Sequence, residues 1–515
     1  MLGNTNKIAL YLILILICLL MFVGTGLHGD DFTAIKFFKN KNFMDILFFN
    51  PNELGVWIYV LPAYLFFYIF YSIFETDYIL GYDFLKVIIH ISSTFFLYKF
   101  FSNFVDPARS LLASLFFVFF VSHDSTTFWY MASVYMLFFP SLVFYSFHLI
   151  YNDNLFRGSL FLTICSLCYS TPPVIFGLSL FFLLKKEFVK FFIFLSAGLI
   201  FILYYFTISH WFPVTENRID NHLTSFKLLK NFIFQFLSSI DATIGLNSIY
   251  KIFYSLSYLN LISIILSISV SIVLFLNLKN KQSNKINFNF VFFVSIFMVY
   301  LLSLSMYSLT GMYTQSAFNL GNRVTIYFCI VIGYLLILIK NRHLLILLFS
   351  LLLVFPTLSM SQYWKQWNIK QNIIYENIKN NNELNNITNE ILVVEKNNYS
   401  KLGPFTHIEL FAMNWHLETI FDNIIYQENI ISLASYTNIE ENKIIDTKSK
   451  KIINLSDPIY IYNSELNSVK KIDKKNIIEK INEIEEIRHW SQLLENDNFI
   501  IRFALYLNPK LGYLF

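Results

Sequence analysis

Up to about residue 360 the chain is built from long apolar runs separated by short polar turns. Beyond that point the apolar stretches shorten and lie in a polar, Asn-rich background. The run 8–26 follows Lys7, lacks a small-residue cleavage pattern, and is followed at once by His28-Gly29-Asp30-Asp31. It therefore reads as a retained first span and not a cleaved signal peptide. Further spans are predicted at 82–102, 108–122, 129–150, 158–170, 173–184, 188–209, 253–277, 289–310, 323–340 and 342–360. Most approach the roughly 20 residues that a helix needs to cross a bilayer, whereas 108–122, 158–170 and 173–184 are shorter as drawn. Segment 55–74, broken by Pro62, and segment 226–246, carrying Lys227, Lys230 and Asp241, fit either a span or a surface helix.

Orientation arbitrates between these choices, because cytoplasmic loops collect Lys and Arg. Arg109, Arg157, the group Lys185, Lys186 and Lys190, the group Lys279, Lys281 and Lys285, and the pair Lys340 and Arg342 fall on one side with Lys7 under one count. In that count 55–74 and 226–246 stay at the outer surface, and 158–184 is two short helices hinged at Thr171-Pro172-Pro173. The result is about eleven transmembrane helices, the N-terminus cytoplasmic and the tail extracytoplasmic. A rival count lets 55–74 cross, makes 158–184 one span, and leaves Arg109 and Arg157 outside.

The predicted fold is an all-α polytopic membrane module over 1–360 with a small soluble α/β domain over 361–515. Trp364 and Trp367 open the tail and suit a bilayer interface, as do Trp57, Trp129 and Trp211. Residues 391–395, Ile-Leu-Val-Val-Glu, read as a buried strand, a second strand is expected around Pro458-Ile-Tyr-Ile-Tyr, and 475–488 as a charged helix. No repeat of 20–50 residues is evident.

Composition sharpens this picture. Of the 515 residues, 56% are hydrophobic and only 14% charged, against roughly a quarter charged in a soluble protein. Half of the charged side chains lie after residue 360. The net charge of +4 gives no reason to expect a nucleic-acid partner. Cys18, Cys165, Cys168 and Cys329 all sit in apolar stretches, so the Cys165/Cys168 pair reads as packing and not as a redox motif. No P-loop, dinucleotide-binding glycine pattern or G-x-S-x-G occurs, which argues against an ATP-driven transporter in one chain.

Chemistry is sought where polar groups gather at the predicted outer face. Asp30-Asp31 stands at the end of the first span, where the low-dielectric region begins and a carboxylate's basicity rises. Its simpler reading is a solvated helix boundary. As a site, one carboxylate suffices to take the proton of an acceptor hydroxyl in an inverting sugar transfer. Asp124, in the turn after 108–122, either caps the next helix with Ser125 and Thr126 or faces the first site as a second acid. A divalent cation shared with Asp30 or Asp31 is the third alternative, although the ligand set is incomplete. Arg323, in Gly321-Asn322-Arg323, either snorkels to headgroups or neutralises a phosphate. Arg218, Lys36 and His210 are further candidates for that role. Lys36 lies in 31–40, an amphipathic stretch expected to lie flat on the membrane. His407 and His416 lack metal-site spacing and read as structural.

The succession of these motifs resembles the GT-C superfamily of membrane glycosyltransferases, near the lipid A aminoarabinose transferases and the protein O-mannosyltransferases. The matching features are the span 8–26, the doublet Asp30-Asp31, the amphipathic stretch 31–40, and Asn50-Pro51 leading into 55–74. Next come the basic turn at Arg109, the turn at Asp124, the hinge Cys168-Tyr169-Ser170-Thr171-Pro172-Pro173, and His210-Trp211-Phe212-Pro213. The resemblance covers residues 8–215 in order and 289–360 more loosely. It implies a helical transferase with its cavity at the outer leaflet of the plasma (inner) membrane, a polyprenyl-phosphate-sugar donor, and Asp30 as catalytic base. The acceptor would be a glycolipid, a polysaccharide or a protein. The family's commoner Asp-Glu is replaced here by Asp30-Asp31, no Arg-Tyr follows, and the tail matches nothing in the pattern. Two other readings share the span pattern. An O-antigen polymerase or ligase would place more basic residues in the loop 210–252 than Arg218, Lys227, Lys230 and Lys251. A lipid-linked-saccharide flippase would place charges inside spans, where few besides Lys86 and His90 are found.

Overall fold

The computed structural model describes residues 15–39, 41, 59–75, 78–211, 224–279, 288–310, 315–387, 390–395, 402, 410–411, 413–424, 429–433, 437–440, 443–446, 451–455, 458–477 and 506. Arg218, Trp57, His407, the Asn50-Pro51 motif, Pro213 and most of the 475–488 helix lie outside the described residues. The chain divides into two compact units: Met1–Leu27 with Phe37–Gln366, and His28–Lys36 with Trp367–Phe515.

The first unit is helical. Its described elements begin with α1 (15–22). The segment α2 (Asp30–Lys39) follows, divided between the units after Lys36. Then come α3 (Leu61–Phe74), α4 (Ile79–Phe101), α5 (Pro107–Phe128) and α6 (Tyr130–Tyr151). They are followed by α7 (Leu155–Ser166), α8 (Pro172–Leu184), α9 (Phe188–Trp211), α10 (Ser225–Ile244) and α11 (Leu246–Ser255). The last are α12 (Leu261–Lys279), α13 (Phe290–Thr310), α14 (Ile326–Ile337) and α15 (Arg342–Lys379), the last of which contains the boundary at Gln366.

Among the described residues, seven helical stretches are long and apolar enough to cross a membrane: Ile79–Phe101, Pro107–Phe128, Tyr130–Tyr151, Phe188–Ile208, Ser225–Tyr258, Phe290–Thr310 and Arg342–Lys379. Segment 226–246, kept at the surface by the charge count, thus falls in a stretch with the length and composition of a span. The helix expected over 253–277 begins instead at Leu261, because the Asn260 carboxamide caps it by accepting the Ser263 N–H at 2.8 Å. The spans expected at 158–170, 173–184 and 323–340 appear as shorter helices.

Local chemistry explains the breaks. Asp106 accepts from the N–H groups of Ala108 and Arg109 and, with Pro107 at the first turn, starts α5. Pro172 and Pro173 open α8 after the turn in which Thr171 Oγ1 donates to the carbonyls of Cys165 and Cys168. Helices α6 and α15 each widen into a π-helical turn, Ser133–Phe138 and Ser350–Val354, and each widening ends two residues before a proline, Pro140 or Pro356. A proline has no N–H for the carbonyl four residues back and crowds it, so the preceding turn opens. Helices α8 and α13 meet at Gly177, where a Cβ would stand 2.6 Å from the Val299 backbone nitrogen. Only a glycine allows that approach, the usual device where apolar helices pack closely.

The second unit holds the strands. In the main sheet the order is β2 (Ile430–Leu433), β1 (Ile391–Glu395), β6 (Ile459–Asn463), β7 (Ser468–Ile472). β1 runs parallel to both neighbours, and β6–β7 is an antiparallel hairpin. The two strands expected from sequence are therefore adjacent. A second antiparallel sheet, β3 (Thr437–Glu440), β4 (Lys443–Asp446) and β5 (Ile452–Asn454), is inserted after β2. Ile391, Val393, Ile431, Leu433, Ile459 and Ile461 share one core with Ile444 and Ile453. On helix α16 (Asn414–Ile424), Leu417 and Phe421 are buried, and Phe421 meets Tyr462 edge-on. A strand covered on both faces reads as a continuous apolar run, which is the pattern of 391–394.

Candidate functional site

Asp30, Asp31 and Lys36 belong to the second unit, Asp124 and Arg323 to the first, and Arg218 is outside the described residues. Each unit assembles its own polar centre.

In the first unit α5 is interrupted at Phe120, whose extended backbone (ψ 132°) is followed by a 3-10 turn, Val121–His123, and a new helical turn from Asp124. This kink turns the Asp124 carboxylate inward. Its Oδ1 accepts from Lys251 Nζ at 2.7 Å and Asn322 Nδ2 at 2.6 Å, and its Oδ2 accepts from Trp364 Nε1 at 2.9 Å. Lys251 also donates to the Ala317 carbonyl at 2.6 Å. Both ions are fully buried. Arg323 follows Asn322 and joins the same centre. Its guanidinium lies over the Trp129 ring, 5.7 Å from the centroid, and donates to Tyr135 Oη at 3.0 Å, while its carbonyl accepts from Thr126 Oγ1. Asp124, through Asn322, and Arg323, the next residue, thus belong to one closed network within the first unit, while Asp30, expected to share a pocket with them, lies in the second unit. Arg323 is buried under an aromatic ring and does not snorkel. Trp129, Trp364 and Trp367, read as interface anchors, are buried too. The Trp364 indole N–H is spent on a buried acid, and the Trp129 ring lies against the Arg323 guanidinium.

A second buried pair was not foreseen. Lys86 Nζ stands 2.9 Å from Asp83 Oδ1, both inside α4. Asp83 accepts from the N–H groups of Gly24 and Gly26 and from Thr25 Oγ1, and Lys86 donates to Thr25 Oγ1 and the Gly26 carbonyl. Gly24 and Gly26 have φ of 91° and 69°. Such a turn points neighbouring donors, here the Gly24 and Gly26 N–H groups and the Thr25 hydroxyl, at one anion, which is a side chain of the same chain.

In the second unit the doublet separates into two roles. Asp31 is buried, and its Oδ2 accepts the His28 N–H at 3.0 Å, the backward half of a capping box that starts α2. Asp30, on the first turn, keeps 40% of its side chain exposed. Its Oδ1 accepts from Trp415 Nε1 at 3.0 Å and lies 2.6 Å from His416 Nε2. Lys36 pairs with Asp422 on the same tail helix. Ala34, Ile35 and Phe38 are buried against protein, so the apolar side of α2 is not left for the membrane surface on which 31–40 was expected to lie.

Compared with protein-family models, curated proteins and solved structures, the chain has no significant match. The site is therefore read from its own residues. Among the described residues no group of three or more His, Cys, Asp or Glu side chains gathers to hold a metal ion. Asp124 has three donors on it, which leaves the shared-cation alternative without support at that carboxylate. Sequence reasoning missed Trp415 and His416, which lie 385 and 386 residues from Asp30. It also missed Lys251 and Asp83. No spacing rule reaches across such separations. The one available signal was the presence of Asp83 three residues before Lys86 in an otherwise apolar run.

Proposed function

We propose that the chain is a multi-pass glycosyltransferase of the plasma membrane, GT-C-like, that transfers a sugar from a polyprenyl-phosphate carrier to an acceptor hydroxyl at the outer face. The observation that carries this reading is Asp30: a half-exposed carboxylate on the first turn of α2, shortly after the apolar helix α1, oriented by two N–H donors. In the transfer Asp30 takes the proton of the acceptor hydroxyl. The hydroxyl oxygen attacks the anomeric carbon from the face opposite the phosphate, and the carrier phosphate leaves with the electron pair of the broken C–O bond. The anomeric configuration inverts. One base is enough for this step because phosphate is already a good leaving group, and Asp31, spent on the helix cap, is not needed as a second. Lys36, on the same helix as Asp30, and Arg218 remain the cations proposed to meet the phosphate, whereas Arg323 is enclosed in the polar centre of the first unit. The acceptor, whether glycolipid, polysaccharide or protein, contributes only its hydroxyl to this chemistry.

The test is to express the full chain with Asp30→Asn and to measure label transfer in membranes from undecaprenyl-phosphate carrying radiolabelled hexoses and pentoses. Loss of a general base lowers turnover by about 10²–10⁴-fold. Wild-type turnover by Asp30→Asn refutes the assignment. A lipid-linked-saccharide transporter is the second reading, favoured by the charged pair Asp83–Lys86 within α4. Flux of a labelled lipid-linked sugar across vesicles holding the purified chain, without transfer, would select it.

A further inference from the structure

The tail helix α16 is fixed at its start by Asn414, whose carboxamide accepts the Ser432 N–H of β2 at 2.7 Å and donates to Asp446 of β4. The next two residues, Trp415 and His416, are therefore carried on a rigid base. Both reach the same oxygen of Asp30. Six residues further along each helix, Lys36 of α2 pairs with Asp422 of α16. The equal intervals, 30 to 36 and 416 to 422, mean that the two helices run side by side in the same direction, with contacts about 9 Å apart. His416 has only 12% of its side chain exposed, against 40% for Asp30, so the donor sits deeper than the carboxylate, which reaches the surface. An ion pair such as Lys36–Asp422 is enough to dock one helix on another. Two N–H donors on a single oxygen do more: they fix the plane of the carboxylate.

We propose that Trp415 and His416 are positioning residues for Asp30, so that the C-terminal tail is part of the catalytic apparatus and not an appended acceptor-binding domain. This rests on the reading of Asp30 as the base. His416 and Trp415 keep the carboxylate aimed until it takes the hydroxyl proton; neither touches the sugar or the carrier.

The experiment uses the full chain in membranes with undecaprenyl-phosphate-linked radiolabelled sugars as donors, and compares wild type with Asp30→Asn, His416→Ala, His416→Gln, Trp415→Phe and Glu418→Gln. Glu418 lies on the same helix and pairs with Lys451, so its variant controls for general weakening of the tail. His416→Ala should lower kcat about 10- to 100-fold, the worth of a hydrogen bond to a charged group, with the donor KM unchanged. His416→Gln, which keeps an N–H, should recover most of that loss, and Glu418→Gln should match wild type. The proposal is overturned if His416→Ala turns over like wild type while Asp30→Asn is inactive; Asp30 then stands as base without the tail. It is also overturned if His416→Gln is no better than His416→Ala and both lose thermal stability in step with activity. An active Asp30→Asn, or a wild type that transfers none of the sugars, removes the base assignment itself and the positioning role with it.

Discussion

The Asp124–Lys251 pair offers the most quantitative test of how the first unit is held. Lys251→Met keeps the volume and the apolar stem of the side chain and deletes the ammonium. Asp124, 1% exposed, would then be a buried anion left with two neutral donors, Asn322 and Trp364, and the Ala317 carbonyl would lose its 2.6 Å donor. Breaking a buried pair by removing one partner costs about 3–5 kcal/mol, and the orphaned carbonyl adds about 1 kcal/mol. The reciprocal change, Asp124→Asn, strands the Lys251 charge at similar cost. The double variant has no unpaired ion, so it should be more stable than the sum of the two losses predicts, by about 2–3 kcal/mol. Equilibrium unfolding of purified chain in mixed micelles, followed by circular dichroism and by indole fluorescence, measures all four corners of the cycle. Trp364 donates directly to Asp124, so its emission should shift in Asp124→Asn before the unfolding transition. Losses that add to within about 0.5 kcal/mol would refute the reasoning, because they would mean that the two charges do not depend on each other.

Two further outcomes follow from the same packing. Gly177→Ala should cost about 1–3 kcal/mol, because the new methyl meets the Val299 backbone, whereas at Gly198→Ala the nearest atoms belong to the Phe176 ring, a side chain that can shift more cheaply than backbone; equal losses in thermal unfolding would count against the close α8–α13 approach. Asp83→Asn should expose Thr25 and its neighbours to faster hydrogen exchange, because the amide cannot replace a carboxylate that accepts from Gly24, Thr25 and Gly26 and balances Lys86. Exchange at wild-type rates over 24–27 would contradict that role.

The sequence by itself determined the local features. The two strands at 391–395 and 459–463, the hinge at Thr171-Pro172-Pro173, and the apolar helices were legible because caps, prolines and hydrophobic runs act within a few residues. The tertiary structure decided everything that depends on which faces meet. Arg109, counted as a cation of a basic loop, is buried and donates to the Ile339 carbonyl past the end of α14. Trp129 and Trp364 serve buried charges and not a bilayer surface. Asp30, separated by most of the chain from His416, belongs to the same compact unit as the tail. The physical reason is common to all three. A helix that is apolar all round carries no periodic mark of its inward face, so the pattern fixes that it buries itself but not against what. The partner of a buried charge is then chosen by packing, because an ion far from water is tolerated only where the fold brings it an opposite charge or a set of donors.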